Sequence, residues 1–163
     1  MLRYNNVINF IGECGARNIY LPIQETVNLT SPAYPMNYRD ELNCQWLILI
    51  AEGAIPHILI AIIDFEMERG YDFVIIGEGE DPSDASTRIA RLTGTIKLRR
   101  MTSQGAELWI QVVSDRTGTR RGFHFRIQHT YDITGLYILI VTRYVIIIII
   151  RVIRPQPYPS VLY

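Results

Sequence analysis

Short runs of alternating apolar and polar residues dominate the chain between Cys14 and Thr130. The clearest run is Phe123–Gln128, in which apolar and polar side chains alternate strictly. Because successive side chains of a strand point to opposite faces of the sheet, period two predicts one buried and one solvated face. We predict strands wherever such runs are rich in β-branched and aromatic residues: Gln45–Ile50, His57–Phe65, Tyr71–Ile76, Glu107–Val113 and Gly122–Gln128.

Turn residues separate these runs at short intervals. Ser31–Pro32 and Gly77–Gly79 are examples, and no amphipathic helical pattern or internal repeat interrupts the series. Many short strands with turn signals between them predict an all-β fold, a two-sheet antiparallel β-sandwich within one domain.

The composition changes abruptly after these runs. Leu136–Ile153 is almost entirely apolar but carries Arg143 inside it and Arg151 near its end. This length is the lower limit for a transmembrane helix and Arg143 makes insertion marginal, whereas Arg151 and Arg154 suit a domain outside the membrane. A buried or aggregation-prone β segment and translated non-coding sequence are the alternatives. The proline-containing residues 154–163 predict a flexible tail.

The charges balance, with Lys plus Arg at 16 and Asp plus Glu at 16. A nucleic-acid-binding domain usually carries a basic excess, so we expect no nucleic acid partner. Small basic clusters occur at Lys97–Arg100 and Arg120–Arg121. We interpret them as solvated strand ends or turns in preference to a binding patch.

The chain contains two cysteines, Cys14 and Cys44. This number is too small for a disulfide scaffold, and the spacing fits no zinc motif. If paired, they would close a loop of about thirty residues, which contributes roughly 3.5 kcal/mol in the chain-entropy model. Whether they pair depends on the redox compartment, which composition does not reveal.

Asn28 begins an Asn-Leu-Thr sequon within the alternating run Val27–Thr30. The alternation places Asn28 and Thr30 on the solvent face, so Asn28 is a candidate glycosylation site if the protein is exported. The preceding residues 1–13 form an N-terminal extension without a visible secretory signal.

The sequence contains little that would support enzymatic catalysis. The histidines are scattered along the chain and no glycine-rich phosphate loop precedes a helix. We therefore predict no catalytic residues and no enzymatic activity for this chain.

A series of motifs between Cys14 and Thr130 resembles, in order and at similar spacing, the motifs of the CUB domain family. Each motif alone is weak, and their common order carries the resemblance. The motifs are Cys14-Gly15, Ser31-Pro32-Ala33-Tyr34-Pro35 with Tyr38, Cys44-Gln45-Trp46-Leu47-Ile48, Asp64-Phe65-Glu66-Met67-Glu68 followed by Tyr71-Asp72-Phe73-Val74, and Ser114-Asp115 with Gly122-Phe123.

This resemblance implies a jelly-roll-like sandwich over residues 14–131, a Cys14–Cys44 disulfide, and an extracellular or cell-surface location. Most CUB domains carry a second disulfide, but Gly70 and Thr93 stand at its two positions here. Both cysteines of that bridge are absent together, as expected for a two-cysteine variant.

The resemblance also implies a calcium site. Glu68, Asp72 and Asp115 match family positions whose carboxylates bind calcium, and Tyr38 matches a tyrosine that helps to position the glutamate. In the family these four positions also serve ligand binding, because the calcium-held carboxylates accept a lysine or arginine from a partner protein. The loop between Glu68 and Tyr71 is short compared with the family pattern.

We therefore expect a noncatalytic extracellular protein-binding module that uses calcium to recognise a basic side chain. Two alternatives remain open at this point. The chain is an accessory domain of a mosaic extracellular protease, or it is a structural spacer that has lost calcium.

Overall fold

The computed structural model describes residues 8–10, 14, 18–21, 25–50, 56–131, 136–138 and 149–151. The chain divides into two units, Met1–Tyr131 and Asp132–Tyr163. The strands are β1 (Ile8–Phe10), β2 (Asn18–Leu21), β3 (Thr26–Thr30), β4 (Asn43–Ile50), β5 (Pro56–Glu66), β6 (Phe73–Glu78), β7 (Arg88–Leu92), β8 (Arg99–Thr102), β9 (Glu107–Val113), β10 (Gly122–Tyr131), β11 (Leu136–Ile138) and β12 (Ile149–Arg151).

The first unit consists of two five-stranded sheets. Sheet A has the strand order β1-β3-β10-β5-β8, and sheet B has the order β2-β4-β9-β6-β7. Within the sheets, β1 runs parallel to β3 and β2 runs parallel to β4, while the other neighbours are antiparallel. The described residues of this unit contain one short 3-10 helix, Ala85–Thr87. The predicted all-β sandwich is therefore confirmed.

Apolar side chains from both sheets pack into one core. Phe123 of sheet A meets Trp46 of sheet B edge to face, with ring centroids 6.2 Å apart. Phe123, Phe125 and Ile127 are all fully buried, as their strict alternation predicts. Burial of aromatic and branched side chains at alternate positions is what holds the two sheets together.

The predicted strands are present, with small changes at their ends. The run predicted over Tyr71–Ile76 begins only at Phe73. The reason is local: the amide of Asp72 donates to the carbonyl of Glu68 at 3.1 Å, which keeps Asp72 in a turn. The shift by two residues places the Asp72 carboxylate at the end of the sandwich.

Cys14 and Cys44 form a disulfide that spans 30 positions of sequence and joins Cα atoms 4.8 Å apart. This agrees with the pairing that the family resemblance implies. Ile8–Phe10, which lie within the predicted N-terminal extension, pair with Val27–Leu29 and so add a strand to sheet A.

The sequon lies on β3, the second strand of sheet A. Asn28 is half-buried, and its Oδ1 lies 2.9 Å from Nε2 of His124. Thr30 is 9% exposed, so the prediction that it faces solvent is wrong. It lies at the last position of β3, where the chain turns into the buried residue Ser31. Glycosylation of Asn28 stays a prediction.

In the second unit, the described residues form two short strands. Leu136–Ile138 pairs antiparallel with Ile149–Arg151. In the parts of the chain with a described structure, no helix is long and apolar enough to cross a membrane. Residues 139–148 and 152–153 of the predicted span and the tail at 154–163 lie outside the described residues, so the span and the tail stay predictions.

Gly77 makes room for the Trp109 indole ring on the outer face of sheet B. Trp109 is fully buried, and its indole nitrogen donates to Oγ1 of Thr87 at 3.1 Å. A Cβ at Gly77 would coincide with the Trp109 indole ring, whereas a Cβ at Gly105 would meet nothing within 4 Å. The absent side chain therefore lets the indole lie flat on the sheet.

We expect Gly77→Ala to lower the free energy of unfolding by about 1–3 kcal/mol, because the added methyl group displaces a packed indole. Gly105→Ala is the matched control and should change it by less than about 0.5 kcal/mol. Urea denaturation followed by tryptophan fluorescence measures both. Equal stability of the two variants would contradict the packing described for Trp109.

Candidate functional site

Three loops meet at one end of the sandwich. They are the β3–β4 connection (residues 31–42), the β5–β6 connection (67–72) and the β9–β10 connection (114–121). The strand registers bring them together, because the start of β10 lies opposite the ends of β3 and β5. The end of β9 lies opposite the starts of β4 and β6.

Three carboxylates from two of these loops converge. One oxygen each of Glu68, Asp72 and Asp115 lies within 4.8 Å of the others. Asp72 is completely buried, while the other two carboxylates remain in part accessible to solvent. The residues that the family resemblance implies as calcium ligands are thus brought together by the fold.

The buried carboxylate of Asp72 is held by two hydrogen bonds. The Tyr38 hydroxyl donates to Oδ2 at 2.5 Å, and the backbone amide of Asp115 donates to Oδ1 at 2.9 Å. The Tyr38 oxygen in turn accepts from the amide of Glu68 at 3.0 Å. Asp72 and Tyr38 therefore connect all three loops through polar groups that are shielded from water.

Burial raises the pKa of Tyr38 well above its usual range, and the hydrogen bond to Asp72 raises it further. The hydroxyl therefore stays protonated further into the alkaline range than an ordinary tyrosine and remains a donor to Asp72. A charged acceptor strengthens this hydrogen bond relative to one between neutral groups.

Gly118 makes room for the Glu68 carboxylate. Its φ is +87°, and a Cβ built on it would coincide with the carboxylate atoms of Glu68. A side chain at this position would therefore be strained and would also push Glu68 away from Asp72. Sequence reasoning missed this glycine, because its importance depends on contact between residues that are far apart in the chain.

Arg120 lies beside the cluster. Its Nη2 is 4.0 Å from Oε1 of Glu68, and its Nη1 donates to the carbonyls of Gly118 and Thr119 at 3.0 and 2.9 Å. The guanidinium group partly offsets the repulsion between the carboxylates. Sequence analysis interpreted Arg120 as a solvated turn residue and did not link it to the acidic residues.

A pair of hydrogen bonds stands where the second CUB disulfide would be. The Thr93 hydroxyl accepts from the amide of Gly70 at 2.9 Å and donates to the carbonyl of Glu68 at 3.0 Å. These bonds fix the short loop between Glu68 and Tyr71 to the end of β7. Glu68 remains within reach of the other carboxylates even though the loop is short.

The side-chain atoms that could bind a metal ion in this cluster are all carboxylate oxygens. Carboxylate oxygens, supplemented by carbonyls and water, form the coordination shell that calcium prefers. The three carboxylates converge, and Gly118 leaves the space that the Glu68 carboxylate occupies, so the residues present fit a hard divalent cation. The acidic residues of the surface turn after β6 differ, because Asp81 and Asp84 accept hydrogen bonds from Ser83 and Ser86 within that turn.

Comparison with protein families identifies this architecture. A family model for the CUB domain matches residues 14–127, and the chain therefore belongs to the CUB domain family. Bone morphogenetic protein 1 of Xenopus laevis is 29% identical over 132 residues, which is 75% of this chain and 18% of the relative. Human neuropilin-2 is 30% identical over 118 residues, 71% of this chain and 12% of the relative. The chain thus spans under a fifth of either relative.

Solved structures agree on the fold. The full extracellular region of zebrafish Gpr126/Adgrg6 matches with a TM-score of 0.57 and 25% identity, over 70% of this chain and 15% of that one. The crystal structure of the MASP-1 CUB2 domain bound to Ca²⁺ matches with a TM-score of 0.55 and 23% identity, over 67% of this chain and 96% of that one.

Proposed function

We propose that this chain is a noncatalytic, extracellular protein-binding module that uses calcium to recognise a lysine or arginine of a partner protein. The observation that carries the proposal is the convergence of Glu68, Asp72 and Asp115 around the buried, doubly hydrogen-bonded Asp72 carboxylate. The solved CUB2 domain bound to Ca²⁺ supports it through its shared fold.

Glu68, Asp72 and Asp115 would hold the calcium ion, and the ion would supply positive charge that balances their mutual repulsion. Tyr38 would act as a positioning residue, since it touches both Asp72 and the amide of Glu68. In this arrangement the carboxylate oxygens that face solvent can accept charge-assisted hydrogen bonds from an incoming basic side chain.

The surface around the cluster suits a protein partner. Tyr71, next to Asp72, is 64% exposed, and Met36, two positions before Tyr38, is 72% exposed. Tyrosine and methionine are enriched at protein interfaces, where charged carboxylates are otherwise uncommon. A partner that covered these loops would gain buried area in addition to the charge-assisted contact.

The alternatives depend on what surrounds this module. Because the chain spans under a fifth of the length of its reported relatives, an accessory domain of a mosaic extracellular protease remains a second candidate. A calcium-free spacer is the third. Anchorage through residues 136–153 and a sugar at Asn28 remain separate proposals.

Calcium should stabilise the folded chain, because the carboxylates are assembled only in the folded state. At a hundredfold excess over Kd the stabilisation is about 2.7 kcal/mol, which corresponds to a melting shift on the order of 10 °C. Asp115→Asn should remove this shift while its amide oxygen still accepts the hydrogen bond that Asp115 receives from Thr117. Calorimetric melting and titration of the secreted full chain measure both effects.

Asp40→Asn is the matched control, because it removes one exposed carboxylate from a neighbouring loop without touching the cluster. It should keep the full calcium shift. No calcium-dependent heat or melting change in the wild-type chain at millimolar calcium would refute the site and favour the spacer.

Binding of the basic side chain can be tested without the natural partner. In the presence of calcium, N-acetyl-lysine amide should shift the backbone amide signals of Glu68, Asp72 and Asp115 in NMR spectra. The Nε-acetylated compound should leave them unchanged, because it carries no charge. Identical shifts with both compounds, or with calcium removed by a chelator, would contradict calcium-assisted recognition.

A further inference from the structure

One side of the sandwich is formed by a single continuous stretch of chain. β7 is one edge strand of sheet B and β8 is one edge strand of sheet A. Residues 93–98 join them directly and are tied to sheet A, because the Ile96 amide donates to the carbonyl of Phe65 at 3.1 Å. Residues 88–102 therefore cover the same side of both sheets, and we call this stretch the β7–β8 edge.

The β7–β8 edge is strongly basic. Residues 85–106 contain five Lys or Arg and no Asp or Glu. All five are exposed, and none forms an ion pair with any residue that the structure describes. The basic residues are Arg88, Arg91, Lys97, Arg99 and Arg100.

The fold spreads these charges across the full thickness of the sandwich. Arg100 lies opposite Ala61 on the outer face of sheet A, and Arg91 lies opposite Ile75 on the outer face of sheet B. The Arg91 guanidinium stacks on the Phe73 ring at 3.3 Å from its centroid. A sixth cation joins them from another loop, because Arg69 lies beside Gly94.

No neighbouring carboxylate that the structure describes forms an ion pair with the edge. Glu66 lies 3.5 Å from Arg121, and Glu78 accepts from the backbone amide of Gln104 at 2.6 Å. Asp81 and Asp84 accept from serines within their own turn. A chain with a net charge of zero thus carries a one-sided basic surface, which the overall composition conceals.

We propose that the β7–β8 edge binds a sulfated glycosaminoglycan chain. A row of exposed basic groups without ion-pair partners among the described residues matches a linear polyanion, because guanidinium groups form bidentate charge-assisted hydrogen bonds to sulfate and carboxylate groups. The disulfide and the membership of the CUB family favour an extracellular polyanion over nucleic acid. The proposal does not depend on calcium.

The test compares two double variants of the secreted full chain on immobilised heparin. Arg99→Gln/Arg100→Gln removes two charges from the edge, and Arg39→Gln/Arg116→Gln removes two exposed charges from the loops at one end of the sandwich. At roughly a factor of five per cation, the edge variant should bind about twenty-five-fold more weakly. The control variant should stay within a factor of a few of the wild-type chain.

Three further readouts decide the outcome. Binding should weaken steeply as salt rises, should persist when calcium is chelated, and should be competed by heparin more strongly than by double-stranded DNA of equal charge.

Equal losses in both variants would overturn the proposal, as would preferential binding of DNA. Unchanged heparin binding with new self-association of the edge variant would also overturn it, since the charges then only protect exposed edge strands.

Discussion

The hydrogen bond between the Tyr38 hydroxyl and the Asp72 carboxylate lies at the centre of the loop end of this sandwich. Asp72 is fully buried, and a buried charge is tolerated only when its oxygens are bonded. Tyr38 and the Asp115 amide meet that requirement, and each comes from a different loop than Asp72. The need to satisfy one buried carboxylate therefore determines where Glu68 and Asp115 can lie.

Polar contacts hold the loop that carries Glu68 in this chain, whose two cysteines form one disulfide. Thr93 connects the 67–72 loop to β7 by two hydrogen bonds, and Tyr38 holds the Glu68 amide from the other side. The loop that carries Glu68 is thus fixed at both flanks by polar contacts. The β7–β8 edge starts at this same strand, and Arg69 of the 67–72 loop lies beside Gly94, so the acidic end and the basic edge adjoin within one unit.

Much of the fold was accessible from the sequence, because strict alternation in Phe123–Gln128 reports directly on burial. The short edge strands β7 and β8 were not predicted, since edge positions are solvated on several sides and carry arginines in place of an apolar face. The acidic cluster was predicted only from the resemblance to the CUB family. The roles of Gly118 and Arg120, and the burial of Thr30, depend on contacts between distant segments that a linear pattern does not contain.

The most direct measurement of the central claim is the calcium affinity of Tyr38→Phe, which removes one hydroxyl and keeps the ring. We expect unfolding to become easier by about 1.5–3 kcal/mol, because a hydrogen bond to a buried charged group is lost. We also expect the calcium Kd of the still-folded variant to rise at least about tenfold, since Asp72 and Glu68 lose their shared anchor. An unchanged calcium affinity in a destabilised but folded variant would contradict the account, because Tyr38 would then be structural and the carboxylates would not depend on it.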